Sequence, residues 1–289
     1  MSKQPDDRPT PNANPGPDDG RPSGILQLVR DLLALPRGPL LILVTVPLVL
    51  TLMEYYGQPW HYNRYRELHS QRTARSMTTH VPPGRNPPFA ELVGNIDLPG
   101  PLQVRHYVWW GLACLVLYIL IPMLVGRVGA GLSPRRLGVR LKGTGRDALT
   151  YLLLFLIFFP VVYLVSRRPD FQRTYPFYKG AKHVTDTDFL VFEAVYCLQF
   201  FAIEFFFRGF IVLGLKRWLG WASVLVMLAP YCMIHYYKPM PEALGAIAAG
   251  LVLGTLAWRT NTIIYGWFLH YAVALSMDLL ALHHTGGLS

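Results

Sequence analysis

From residue 38 onward the chain alternates between long apolar runs and polar connectors. The runs fall at about 38–53, 106–126, 148–165, 188–215, 219–235, 241–258 and 262–282. A helix of roughly 18–20 apolar residues spans the hydrocarbon core of a bilayer. The pattern therefore predicts an all-α, polytopic transmembrane helical bundle of about seven spans, within a range of six to eight. Residues 1–24 are rich in Pro, Gly, Asp and Asn with little to bury, which predicts a disordered tail. They lack the basic start and short apolar core of a signal peptide. Residues 25–37 (ILQLVRDLLALPR) carry a helical apolar stripe suited to lying along the membrane surface.

The connectors divide the chain further. Segment 54–105 is polar, aromatic and Pro-rich, and is too long for a plain connection. The organisation expected is a tail plus interfacial helix over 1–37, N-terminal spans with the polar 54–105 segment over 38–132, and a core over 133–289.

Composition sharpens the membrane assignment. Hydrophobic residues make up 52% and charged residues 15%, against roughly 25% charged in soluble domains. The net charge of +10 comes from Lys and Arg lying between the apolar runs, where they set orientation and meet anionic lipid. With no basic stripe or recognition motif, the charge does not indicate a nucleic-acid partner. Lys and Arg near the span ends favour a cytoplasmic N-terminus, in a multi-pass protein of the plasma membrane. The basic 166–187 loop argues against that orientation. Cys114, Cys197 and Cys232 lie inside apolar runs without metal-like spacing, as small buried side chains do.

Ionisable residues inside spans are costly and default to functional candidates. The last four runs contain Glu193, Glu204, Arg208, His235, Glu242, His270 and Asp278. Glu193 and Glu242 lie toward run ends, where water reaches them. Glu204 and Arg208, at i and i+4, share a helix face about 6 Å apart along the axis, which suits an internal ion pair. His235 closes the run MLAPYCMIH one turn after Tyr231, and His270 sits in WFLHYAVALSMD. Singly, each reads as a satisfied core histidine. Together, one glutamate and two histidines on three of four successive spans can converge in a bundle. They would supply a base and hydrogen-bond donors for a developing oxyanion. The same set, Glu204, His235 and His270, also fits a divalent metal such as zinc.

The ordered stretches IEFFFRGF, YCMIH and KPMPEALGAIAAGLVLGTLAWRTNTIIYGWFLH resemble the CPBP family of intramembrane proteases, which includes the type II CAAX prenyl endopeptidases. The family pattern is E-E-x-x-x-R, then F-x-x-x-H, then H-x-x-x-N or H-x-x-x-D. On it, Glu204 and Arg208 match the second glutamate and the arginine, Tyr231 stands for the phenylalanine, and His235 and His270 match the two histidines. The resemblance covers about residues 133–282 and implies endoproteolysis of a membrane-anchored protein or peptide, with no cofactor if the glutamate activates water.

Two positions depart from the pattern. Ile203 fills the place of the first glutamate, usually assigned as the water-activating base, and Ala274 that of the Asn or Asp. Glu204 is rotated by about 100° from the missing position. Asp278 lies two turns beyond His270, about 12 Å along the axis, and would support that ring only across a bend. A non-catalytic scaffold that binds a membrane protein or peptide is the alternative these departures favour.

Overall fold

In the computed structural model, residues 36–59, 103–141, 145–236, 238 and 240–287 are described. The expected tail and interfacial helix, and nearly all of the 54–105 segment, lie outside them. Residues 38–289 form one unit and 1–37 another, of which only the last two residues are described.

All regular structure among the described residues is helical. Helix α1 (Arg37–Leu52) continues into a π-helical turn, Met53–Gly57. Helix α2 (Val104–Ala130) contains a π segment at Leu115–Leu120. Next come α3 (Gly145–Val165), the short α4 (Pro169–Thr174) and α5 (Thr187–Leu219), whose second half is π-helical over Phe205–Leu213. Helices α6 (Ala222–Met233), α7 (Met240–Thr260) and α8 (Ile264–His284) complete the bundle.

Six of these helices are long and apolar enough to cross a membrane, and α6 is a shorter apolar helix. The run expected to span at 219–235 is thus a 12-residue helix. Gly220, at φ 54°, turns the chain after α5, and the helix begins only at Ala222. This positive φ with ψ −133° is a conformation that glycine adopts readily and that a helix cannot continue through.

Burial ranks the helices. In α5, 61% of the most apolar window is buried, against 6% in α3, which turns a row of Leu and Ile outward. Helix α5 is therefore the bundle's axis, and its neighbours set the register. A Cβ on Gly214 would meet Ile42 Cδ1 at 3.1 Å, and one on Gly38 would meet the Trp218 ring. Helix α1 thus runs antiparallel to the second half of α5. Gly254 admits Val224 and Met227, and Gly250 admits Leu228 and Tyr231, so α6 and α7 approach closely through small residues.

The corner between α7 and α8 is pinned from two sides. Lys216 donates to Asn261 Oδ1 at 2.7 Å and to the Trp258 carbonyl. Arg140 donates to the Thr260 carbonyl at 2.8 Å, and Ile263 N–H donates to the Gly138 carbonyl at 3.1 Å. These bonds fix where α8 begins, and hence the depth of Gly266 and His270.

Candidate active site

Glu204 and Arg208 are both fully buried, and Arg208 Nη1 lies 3.2 Å from Glu204 Oε1. The expected i,i+4 ion pair is present. Two unit charges removed from water need close mutual compensation. Further support comes from Tyr231 of α6, over whose ring the guanidinium lies at 4.0 Å.

The same Glu204 oxygen bonds His270 Nδ1 of α8 at 2.9 Å. Gly266, one turn earlier, makes this approach feasible, because a Cβ there would stand 3.0 Å from Glu204 Oε2. Phe200 packs on the imidazole with ring centroids 4.5 Å apart. His235 sits in the turn after α6, with Nδ1 2.9 Å from the Tyr231 carbonyl. A carbonyl only accepts, so Nδ1 of His235 carries the proton. The Tyr231 ring stands edge-on to both imidazoles, with centroids 4.8 Å from His235 and 6.4 Å from His270. In both imidazoles Nδ1 is engaged and Nε2 remains for chemistry.

His235 and His270 line one cavity of about 820 Å³, whereas Glu204 and Arg208 do not. Ile203 and Ala274 line it as well, so its wall is apolar at both places where the resemblance expects polar groups. Residues of α1 and α2, including Glu54, Trp110 and Tyr118, complete the wall.

Of the other expected residues, Glu242 lines the cavity, whereas Asp278 and Glu193 do not. Asp278 accepts from Phe177 N–H at 2.6 Å and meets the carboxyl group of Glu193. It braces the 166–186 connection instead of His270, because α8 runs without the bend that would bring it back. Glu193, expected within reach of water, is buried and accepts from Tyr271 Oη at 3.2 Å. Glu242 accepts from Tyr175 Oη at 3.0 and 2.9 Å, and Lys238 Nζ lies 3.8 Å from it. Burial pulls the Lys238 ammonium below the usual lysine range, opposed by the Glu242 and Asp278 charges. Burial, reinforced by Glu242, holds the Tyr175 phenol well above its ordinary value, so it stays a donor.

No group of three or more His, Cys, Asp and Glu side chains is placed to hold a metal among the described residues. Glu204 Oε1 is occupied by His270 and Arg208, which makes it a support for the imidazole and not a co-ligand beside it. The expected metal set therefore does not fit the geometry. Glu54, which also lines the cavity, directly follows the first apolar run, outside the last four runs that hold the charged candidates. Its sequence signal is a carboxylate closing an apolar run.

Fold and site together describe a multi-pass helical membrane protein with a histidine-lined chamber braced by a buried Glu–Arg pair. Residues 185–276 match the family described as type II CAAX prenyl endopeptidase Rce1-like, consistent with the CPBP resemblance. That segment holds every motif position from Ile203 to Ala274. No curated protein and no solved structure gives a significant match to the chain.

Proposed function

We propose that the protein is an intramembrane endopeptidase that cleaves a membrane-anchored protein or peptide by attack of water within the chamber. The observation that carries this reading is the meeting of His235 and His270 on one cavity inside the Rce1-like segment. Glu204 acts through His270. It fixes the ring by Nδ1 and balances the imidazolium when Nε2 is protonated, so that Nε2–H can donate to the developing oxyanion. His235, with its proton on Nδ1, presents a lone pair at Nε2 to orient the water. In the family arrangement the water's proton goes to a carboxylate at the place Ile203 fills here.

A second reading, a non-catalytic scaffold whose chamber binds a membrane peptide, is favoured by the apolar Ile203 and Ala274 on the wall. The basic residues near the span ends favour an N-terminus in the cytoplasm, and the basic 166–187 loop argues against it.

The test is turnover by full-length protein in detergent or nanodiscs against lipidated and unlipidated peptides. Glu204→Gln and His235→Ala should each lower kcat by about 100-fold or more. Equal turnover in wild type and both variants would remove these residues from the site. A wild type without turnover that gains it with Ile203→Glu would establish the scaffold reading.

A further inference from the structure

The chamber is walled by an apolar residue where a general base is expected, yet a carboxylate reaches the same chamber from another helix. Glu54 lines the cavity together with Ile203, His235 and His270. It comes from α1, outside the segment that matches the family.

The helix directions bring Glu54 toward the part of the chamber that Ile203 lines. Ile42 packs at Gly214 and Trp218 at Gly38, so each step forward in α1 is a step back in α5. From Ile42 to Glu54 α1 rises about 18 Å at 1.5 Å per residue, and on α5 the path back from Gly214 leads through the π-helical turns Phe205–Leu213 to Ile203. His270 lies beside Ile203, bonded to Glu204 and packed on Phe200.

Tyr118 links the two sides. Its ring stacks on Phe206 with centroids 4.9 Å apart, and it lines the chamber with Glu54. Glu54 is held by Gln58, whose Nε2 donates to Oε2 at 3.3 Å. It projects from the π-helical turn Met53–Gly57, a local departure from α geometry often found at functional sites. A carboxylate near the end of an apolar helix that opens onto such a chamber is placed for use, not only for anchoring.

We propose that Glu54 is the general base of the reaction, supplying from α1 the carboxylate that Ile203 does not supply from α5. This inference rests on the protease reading above. Glu54 takes a proton from water as the water oxygen bonds the scissile carbonyl carbon. The carbon–nitrogen bond then breaks, and the proton passes from Glu54 to the departing amine, which leaves a carboxylic acid and a free amine.

The experiment measures peptide turnover by full-length wild type, Glu54→Gln, Ile203→Glu and the double variant, each first shown monodisperse with wild-type Tm. Glu54→Gln should lower kcat by about 100-fold or more with KM nearly unchanged. Adding Ile203→Glu should return kcat to within about tenfold of wild type. A purely structural role for Glu54 would show no such rescue. Wild-type kcat in Glu54→Gln, or lost turnover not recovered in the folded double variant, overturns the assignment and leaves the protease reading standing. Absence of turnover in the wild type overturns the protease reading, and this inference with it.

Discussion

Helices α5 and α8 are joined by two buried acidic clusters whose carboxyl groups have different kinds of partner. At one level, Glu204 faces a guanidinium and an imidazole. About three turns away, Glu193 meets Asp278, and their hydrogen bonds come from the Tyr271 hydroxyl and the Phe177 amide. Glu193 Oε1 and Asp278 Oδ2 find no donor among the described residues. The first cluster is charge against charge and holds a ring at the chamber. The second sets carboxyl against carboxyl and holds a backbone amide. Buried acids on one helix pair thus serve two purposes, and their partners distinguish them.

The comparison breaks most severely at Arg208. Arg208→Met removes the guanidinium paired with Glu204 and should destabilise the fold by about 3–5 kcal/mol, read as a large fall in Tm in detergent. A loss below about 1 kcal/mol would mean that the buried pair contributes little.

A smaller change sharpens the same cluster. Gly266→Ala places a methyl group 3.0 Å from Glu204 Oε2, so the carboxylate must give way. Turnover should fall by about tenfold, roughly 1.4 kcal/mol in the barrier, with little change in Tm. If kcat is unaffected, the Glu204–His270 bond is not needed for chemistry.

The second cluster should respond least, and in a graded way. Asp278→Asn keeps an acceptor for Phe177 N–H and offers an amide to Glu193, so Tm should hold to within about 1 kcal/mol of wild-type stability. Asp278→Ala leaves the amide unpaired and should cost about 1–3 kcal/mol. A severe loss with Asn would show that the carboxylate charge itself is required there.

The sequence made the first cluster legible and hid the second. Glu204 and Arg208 are four residues apart on one helix, so helical geometry alone pairs them. His270 was reachable from motif order, although its bond to Glu204 depends on the absence of a side chain at Gly266. The Glu193–Asp278 contact joins residues 85 positions apart in sequence and arises from the antiparallel register of α5 and α8, which no local pattern encodes. Glu54 was hidden for a related reason, because its level depends on how α1 slides along α5. The apolar runs located the helices well, yet 219–235 read as a span because hydropathy does not register the turn at Gly220.

Helix α3 carries a further consequence. Leu154, Phe158, Val161 and Val165 line the chamber, while Leu152, Leu153, Leu156, Ile157 and Leu164 are exposed. On that side the partition between chamber and hydrocarbon is one helix thick. Its most apolar window is 6% buried, against 28% or more for every other long helix, so shifting α3 strips the least packed surface from the bundle. Of the long helices enclosing the chamber, this is the one whose displacement perturbs the interior least.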